Sequence, residues 1–219
     1  WAVPSVMPIA ARFAGLLHAR HPGITVTLRS LSTPEIEAGL ESLALDLALG
    51  YCERVPTGTG ALSTLLQYSE HYFLLRRAAQ PSAQGLRISA RACTWAEAAA
   101  HPLCLLTPEM HNRAIVDEAF RQAGVQLAPA IETNSVLALG LAVLAGEVHS
   151  ILPGALVSTV AEYGTLEAVP LQSPEVITQV GFIYRHAGRP SHTLAAALEL
   201  ARDSAWMAHV RAHGGALTA

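Results

Sequence analysis

Short apolar runs alternate with stretches of helical spacing from one end of this sequence to the other. Met7–Ala19 carries apolar residues at helical intervals, and the His-Pro-Gly sequence at 21–23 ends that helix. Ile24–Leu28 is short, alternating and β-branched, so it predicts a strand. Glu35–Ser42 predicts a second helix and Leu45–Gly50 a buried strand. With the strand end that Ala2-Val3 predicts before the first helix, this β-α-β-α-β order predicts a parallel sheet with right-handed crossovers.

A second series of the same kind follows. It predicts, in chain order, a strand at Tyr72–Arg76, a helix at Trp95–Ala100, a strand at Leu103–Leu106, a helix at Asn112–Ala123, a strand at Ala130–Thr133, a helix at Ser135–Ala145, a strand at Ser150–Pro153, a short helix near Ala155–Val160, strands at Leu166–Pro170 and Gln179–Arg185, and a long helix at Ser191–Ala212.

The order of these elements predicts two α/β lobes joined by two crossover strands, near residues 72–79 and 177–185. We assign residues 1–76 and 181–219 to lobe I and residues 77–180 to lobe II. Two crossings form a hinge, and small ligands usually bind in a cleft between lobes. We therefore expect a ligand site in such a cleft.

Composition excludes several classes of function. The 219 residues carry a formal net charge of -3, which argues against a surface that coats nucleic acid. All basic side chains are arginines, because the sequence contains no lysine. P-loop phosphate binding and Schiff-base chemistry both need a lysine amine.

Cysteine and histidine spacings do not predict a metal site or a cofactor. The three cysteines form no C-x-x-C pair, which argues against zinc sites and disulfide scaffolds and fits a reducing cytoplasm. The histidines contain no H-E-x-x-H pair, and we interpret the four-residue spacing of His209 and His213 as chance. An apolar run of about 20 residues does not occur, so we expect no contact with a membrane.

Two predicted helix starts in lobe I have polar residues suited to an anion. Ser5 lies at a strand-to-helix turn, where free N–H groups and the helix dipole favour negative charge, and Val6 would present its backbone N–H beside it. Ser32 and Thr33 place hydroxyl groups in the same way at the start of the second helix. The alternative for each hydroxyl is plain N-capping, and both roles can coexist because a hydroxyl donates and accepts.

Lobe II offers polar residues after predicted strands. Thr107, His111 and Asn112 belong to a loop at the C-terminal end of a buried strand, where open α/β sheets bind ligands. The alternative is a solvated loop with ordinary helix capping. Asn134 and Ser135 open the next helix and allow the same two interpretations. His149 precedes a buried strand, where a lone histidine is more often structural than a ligand contact.

Nothing in the sequence predicts catalysis. The motifs G-x-S-x-G and G-x-G-x-x-G do not occur, and the 17 acidic residues form no evident pair of catalytic carboxylates.

An ordered set of short motifs resembles the effector-binding domain of LysR-type transcriptional regulators. The motifs cover nearly the whole chain, and their order is more specific than any one of them. They are Ala2-Val3-Pro4-Ser5, His21-Pro22-Gly23-Ile24, Ser32-Thr33, Leu45-Asp46-Leu47-Ala48-Leu49, Ala123-Gly124-Val125, Ala145-Gly146-Glu147 and Ile151-Leu152-Pro153. The sequence departs from the family at Val148-His149, where a glycine followed by an aliphatic residue is usual.

The resemblance implies a two-lobed fold like that of type 2 periplasmic binding proteins. It also implies that the winged helix-turn-helix, which binds DNA, belongs to an N-terminal portion that is missing here. In the family, a serine or threonine at positions matching Ser5 and Thr33 commonly touches the effector. The residues that we predict to bind effector are Ser5, Val6, Ser32, Thr33, Thr107, His111, Asn112, Asn134, Ser135 and His149.

The expected function is to sense a small anionic metabolite and relay its binding to DNA through the N-terminal domain. The resemblance further implies an antiparallel homodimer in which helices such as Phe13–Ala19 and Ala114–Phe120 meet, and a tetramer of the full-length protein. The alternative is a solute-binding protein of a transport system. A third possibility, an enzyme with the same fold, requires an acid–base or nucleophile set that the sequence does not show.

Overall fold

The computed structural model describes residues 2–54, 62–186 and 190–214. The helices are α1 (Met7–Arg20), α2 (Thr33–Glu41), α3 (Trp95–Ala99), α4 (His111–Gln122), α5 (Val136–Ala145), α6 (Gly154–Val157), α7 (His192–Leu200) and α8 (Ser204–His213). The strands are β1 (Ala48–Tyr51), β2 (Leu62–Arg77), β3 (Arg87–Ile88), β4 (Cys93–Thr94), β5 (Leu103–Leu106), β6 (Ile131–Thr133), β7 (His149–Pro153), β8 (Leu166–Gln172) and β9 (Ile177–Arg185). In the described part of the chain, no helix is both long and apolar enough to cross a membrane.

Contacts between residues divide the chain into two units. Unit 1 contains Trp1–Glu70 and Thr178–Gly215, and unit 2 contains His71–Ile177. The chain therefore passes from one unit to the other twice, once within β2 and once within β9. The lobe boundaries that we expected, after residues 76 and 180, lie slightly later, and the lobe assignment stays a prediction.

Unit 1 is built on strands β1, β9 and the first part of β2, with β9 in the middle. β1 and β9 are antiparallel, with Leu49 opposite Phe182. Gly181 allows the close approach of β2 to β9, because a Cβ atom there would lie 2.7 Å from the Leu65 carbonyl oxygen. Helices α1 and α8 cover this sheet through Phe13, whose ring lies 4.5 Å from Phe182 and 4.9 Å from Trp206.

Unit 2 has a sheet between two helical layers. Alternate residues of β2 face opposite sides of the sheet, as the period of a strand requires. Phe73 and Leu75 pack in the core beneath α5 and α6, while Tyr72 and Leu74 pack in the core beneath α3 and α4. β5 runs parallel to β6 and β7, whereas β2 runs antiparallel to β7 and β8.

The parallel sheet expected near the N-terminus is wrong in part. Residues 24–28 do not belong to a strand ladder, and in this stretch Ser30 forms a parallel bridge with Ala2. Ala2 also bridges Leu49 in parallel. Among the described residues, Ala2 is thus the one that lies between Ser30 and Leu49, and a single residue is too short a partner to order residues 24–28 into a ladder.

The single long helix expected at Ser191–Ala212 is also wrong. Ala201-Arg202-Asp203 separates α7 from α8, and the Asp203 side chain accepts hydrogen bonds from the backbone N–H groups of Ala205 and Trp206. Aspartate is favoured at an N-cap, because its carboxylate accepts from the free N–H groups of the first turn, and it is disfavoured in a helix interior. Asp203 therefore starts a new helix. Apolar periodicity alone does not show this break.

Candidate functional site

Three parallel segments of unit 1 leave the sheet at the same edge. Ala2 bridges both Ser30 and Leu49 in parallel, and the chain runs on from these segments to Ser5, Thr33 and Tyr51. The C-terminal edge of parallel strands is where open α/β sheets bind ligands. This topology brings the two hydroxyl-bearing helix starts of the prediction to one edge, and it adds Tyr51.

Ser5 is buried and bonded to that tyrosine. Its Oγ lies 2.8 Å from the Oη of Tyr51, and either oxygen can donate. The residue before α1 is Val6, and no side chain caps this helix. Plain capping is therefore not the role of Ser5, and its hydroxyl forms a buried pair with a phenol instead.

The expectation for Val6 is wrong. Its backbone N–H donates to the carbonyl oxygen of Val3 at 3.1 Å, within the helical turn Pro4–Val6 that precedes α1. A turn of this kind consumes one of the N–H groups that a regular helix start leaves free. Val6 therefore contributes a buried apolar side chain and no free donor.

Ser32 acts as a cap, which is the alternative interpretation of this residue. Glu35 Oε2 accepts from the Ser32 backbone N–H at 2.8 Å and from its hydroxyl at 2.6 Å, so the serine and the glutamate occupy the two positions of a capping box. The hydrogen bonds from Ser32 lower the pKa of Glu35. The N-terminus of α2 thus already holds a carboxylate of its own, and an anionic ligand has to approach beside it.

Thr33 is left with a free hydroxyl. Only 5% of the residue is exposed, and its Oγ1 is buried without a hydrogen-bond partner among the described residues. A buried polar group without a partner costs about 1–3 kcal/mol of stability. Thr33 is therefore a donor placed at the strand edge and not used by the fold.

Unit 2 brings together the two loops that sequence analysis singled out. β5 and β6 are parallel, Thr107 follows β5 and Asn134 follows β6, and the Thr107 N–H donates to the Thr133 carbonyl oxygen at 3.0 Å. The Thr107 hydroxyl donates to Glu109 Oε1 at 2.7 Å and lowers the pKa of that carboxyl. This edge, too, carries a carboxylate that we did not anticipate.

The other predicted residues of this edge differ in how far they are buried. Asn134 and Ser135 are exposed, and the Ser135 Oγ caps α5 by accepting from the Ala138 N–H at 3.4 Å. His111 opens α4 and is half-buried. Asn112 is buried, and its Nδ2 donates to the Tyr72 Oη at 3.3 Å, so it faces the core of unit 2.

Arg113, in the first turn of α4, is also committed to the fold. Its Nη1 donates to the Leu106 carbonyl oxygen and to Glu132 Oε1, both at 2.6 Å, and its Nε donates to Asp117 Oδ1 at 2.7 Å. These bonds tie α4 to β5 and β6. The guanidinium is therefore a structural cross-link of this unit.

His149 does not lie with the other predicted residues of unit 2. It stands opposite Leu103 at the start of the parallel pair β5 and β7, so it occupies the N-terminal edge of the strands, away from Thr107. Its ring stacks on His101, with centroids 4.4 Å apart, and its Nδ1 is buried without a partner among the described residues. The geometry does not support its grouping with the effector-binding residues.

Glu35, Glu109 and Tyr51 were missed as members of these edges. The signal for Glu35 was present, since a glutamate three residues after a helix-starting serine is the sequence pattern of a capping box. The signal for Tyr51 is its position directly after the predicted strand Leu45–Gly50, where residues of a strand edge lie. Nothing local marks Glu109, because its link to Thr107 depends on the loop conformation.

An apolar cavity in unit 1 lies away from these residues. Its volume is about 120 Å³, and its walls come from α1, α7 and residues 24–28, including Phe13 and Leu194. Its lining contains none of the residues that we predicted to bind effector. Strand-edge chemistry, and not this cavity, therefore identifies the candidate site.

The described residues offer neither a nucleophilic thiol nor a multi-ligand metal centre. Burial raises the pKa of the Cys52 thiol to about 11 and also raises the pKa values of Cys93 and Cys104. Cysteine reacts as the thiolate, so these three groups are poor nucleophiles at neutral pH. No group of three or more histidine, cysteine, aspartate or glutamate side chains in the described ranges is placed to hold a metal ion.

Residues 3–206 match the family model described as the LysR substrate binding domain. No curated protein sequence matches the chain. The match covers nearly all of both units, and it includes Ser5, Thr33 and the polar loops of unit 2.

Solved structures with the same fold include effector complexes. The BenM effector-binding domain with benzoate has 20% identity and a TM-score of 0.70, over 92% of this chain and 88% of that one. The QuiR effector-binding domain with shikimate has 16% identity and a TM-score of 0.65, over 91% and 92%.

Full-length regulators match as well. CbnR in complex with its target DNA has 18% identity and a TM-score of 0.70, over 92% of this chain and 67% of that one. A full-length BenM mutant has 22% identity and a TM-score of 0.69, and this chain covers 64% of its length. The chain thus spans about two thirds of the full-length regulators that it resembles.

These similarities confirm the fold that the sequence motifs implied, a mixed α/β fold of the type 2 periplasmic-binding-protein kind. The family is one of transcriptional regulators and not of enzymes. The chain belongs to the family of LysR substrate-binding domains, the effector-binding part of LysR-type regulators.

Proposed function

We propose that this domain senses a small carboxylate at the strand edges that carry Ser5, Thr33 and Thr107. In the full-length regulator, binding changes the affinity of the N-terminal domain for DNA. The observation that carries this proposal is the buried Thr33 hydroxyl, which has no hydrogen-bond partner among the described residues. A ligand oxygen supplies the missing partner.

The energetics of Thr33 support a ligand-binding role. An unpaired buried hydroxyl weakens the fold by about 1–3 kcal/mol, and a valine of the same shape would avoid that cost. Unpaired buried groups of this kind persist at functional sites, because a bound ligand supplies the missing hydrogen bond and recovers the lost free energy. The Ser5–Tyr51 pair adds two hydroxyls with a 2.8 Å bond whose direction can reverse, so the pair can donate or accept as a ligand requires.

The chemistry of the edges supports a single carboxylate. Hydroxyl donors bind a carboxylate without a lysine, and the chain contains none. Glu35 and Glu109 place a carboxylate at the edge of each unit, and they oppose a ligand with two or more negative charges. Benzoate and shikimate, bound by two structural relatives, are both monocarboxylates.

The remaining features of the proposal follow from regulation of transcription. The protein acts in the cytoplasm, where its DNA lies. It forms a homodimer through helices that include α1 and α4, and the full-length protein forms a tetramer. A ligand shifts such an assembly only if it binds one conformation better than another, so the effector has to distinguish the two arrangements of the domain.

Thermal unfolding with a panel of ligands tests the site. Benzoate and shikimate are compared with benzamide and methyl shikimate, which keep the shape and lose the charge. We expect the melting temperature to rise with the concentration of at least one carboxylate and not with its neutral partner. If the neutral compounds stabilise equally, the site does not select an anion.

A pair of variants separates binding from stability. Thr33→Val and Thr178→Val each remove a buried hydroxyl that lacks a partner among the described residues, and both residues are 5% exposed. We expect both to unfold at the same or a higher temperature than the wild type without ligand, and only Thr33→Val to lose the response to carboxylate. Equal ligand responses in the two variants would contradict the role of Thr33.

A further inference from the structure

The C-terminal helix of unit 1 places two histidine rings side by side. His209 and His213 stand four residues apart on α8, a spacing that puts both side chains on one face of the helix. Their ring centroids are 4.3 Å apart, and the ring planes differ by 23°. The spacing that we interpreted as chance therefore corresponds to a direct contact between two imidazoles.

The hydrogen bonds of this pair define which nitrogen is free. His213 Nδ1 lies 3.0 Å from the His209 carbonyl oxygen. A carbonyl oxygen only accepts, so Nδ1 carries the proton and Nε2 keeps its lone pair. A backbone carbonyl that holds one ring nitrogen in this way is the usual arrangement around a metal-binding histidine.

His209 contacts His213 on the same helix and lies near Arg12 on α1. The ring also packs on Trp206, with centroids 5.9 Å apart, so one of the two rings is partly ordered before any ion arrives.

The distance between the rings suits a shared metal ion. Zinc–nitrogen bonds are about 2.0–2.1 Å long, so two nitrogens that bind one ion lie within about 4 Å of each other. The rings are stacked, so their nitrogen lone pairs lie in nearly parallel planes, and the exposed His213 side chain has to turn out of the stack before a nitrogen of each ring reaches one ion. The same four-residue spacing of histidines binds zinc in H-E-x-x-H helices.

We propose that His209 and His213 form a two-nitrogen site for a divalent transition-metal ion such as Ni²⁺, Cu²⁺ or Zn²⁺ on the surface of unit 1. Imidazole ligands select these ions over Mg²⁺ and Ca²⁺, which prefer oxygen. Water fills the other coordination positions. The positive charge of Arg12 acts against the ion, so the site binds less tightly than one with three or four protein ligands.

Thermal unfolding and calorimetric titration of the domain with Ni²⁺, Zn²⁺ and Mg²⁺, in a buffer that does not chelate, test the site. We expect Ni²⁺ and Zn²⁺ to bind saturably and to raise the melting temperature, because the ion links adjacent turns of α8. Mg²⁺ is expected to have no effect. Absence of saturable Ni²⁺ and Zn²⁺ binding overturns the proposal.

Three variants locate the ion. His209→Gln and His213→Gln each leave one imidazole, so we expect affinity to fall roughly 100-fold or more as the chelate is lost. His101→Gln is the matched control, because it removes one ring of the other stacked pair, whose centroids are 4.4 Å apart. Affinity unchanged in His213→Gln, or lost in His101→Gln, overturns the proposal.

A spectroscopic measurement keeps the test independent of folding. Cu²⁺ bound to the wild type is expected to show an electron paramagnetic resonance signal split by two equivalent nitrogens, and His213→Gln is expected to show one. His213 is exposed, so the metal-free melting temperature of this variant should match the wild type. A two-nitrogen signal that survives His213→Gln contradicts the assignment.

Discussion

At the scale of single residues, His149 occupies an environment that opposes its protonation. Burial, the stacked His101 ring and the nearby Arg76 guanidinium lower the pKa of His149. Its Nδ1 is enclosed and has no hydrogen-bond partner in the described ranges. The folded state therefore holds this imidazole neutral, while the unfolded chain protonates it near pH 6.5.

We predict that His149 makes the domain less stable as the pH falls through about 6.5. The unfolded state takes up the proton first, so stability declines below that value and levels off only below the lowered pKa of the folded state. Urea denaturation at pH 7.5, 6.5 and 5.5 is expected to show this slope, and His149→Gln to reduce it. His192→Gln, at an exposed position on α7, is the control, and a slope unaltered by His149→Gln would contradict the prediction.

The sequence predicted where these hydroxyl groups lie better than it predicted which groups they form hydrogen bonds with. Ser5 and Thr33 lie at one strand edge, as their places in the sequence suggested. Their bonding differs because it depends on residues far away or on the exact turn: Ser5 bonds Tyr51, 46 positions later, and the Val6 N–H is consumed by a local turn. Long-range partners of this kind cannot be read from spacing.

At the scale of helices and strands, strong periodic patterns predicted elements well, and weak ones did not. β5 begins and ends where its apolar run does, and α4 and α5 begin within one residue of their expected starts. The two-residue strands β3 and β4 escaped prediction because they are too short to show a period. Residues 24–28 have the pattern of a strand and form no ladder, since pairing depends on a partner as well as on propensity.

We predict that Gly15→Glu on α1 weakens the proposed dimer while stabilising the helix. Gly15 is exposed, and a Cβ atom there would meet nothing within 4 Å. Glutamate favours a helix interior over glycine by about 0.5–1 kcal/mol, so the monomer should unfold at a slightly higher temperature. A charge buried across a dimer interface should weaken association about tenfold or more.

Sedimentation equilibrium measures this effect, with Gly23→Glu as the control outside the helix, at a position that is equally open. If Gly15→Glu associates as strongly as the wild type, α1 does not lie in the interface. A loss of association in both variants would instead indicate a general effect of added charge.

At the scale of the whole molecule, the two units differ in how the chain builds them. Unit 2 is one continuous segment, His71–Ile177, with core layers on both faces of its sheet. Unit 1 combines the start of the chain with Thr178–Gly215. Its aromatic core joins the two pieces, since Phe13 contacts Phe182 and Trp206.

We predict that the isolated segment 71–177 folds cooperatively and that segment 1–70 does not. The first keeps both of its core layers, and the second loses the aromatic partners of Phe13. Circular dichroism during urea denaturation should show a sigmoidal transition for 71–177 and a gradual change for 1–70. A gradual transition for 71–177 would mean that its core depends on the rest of the chain.

The discontinuity of unit 1 also has a consequence during protein synthesis. Ribosomes add about 5–20 residues per second, so the stretch 71–177 takes roughly 5–20 s to emerge after the first part of unit 1. Throughout that interval Phe182 and Trp206 have not yet been synthesised, so the apolar side chain of Phe13 lacks the partners that bury it in the folded domain. The first-made third of this domain therefore depends longest on chaperones, while the middle of the chain can fold as it is made.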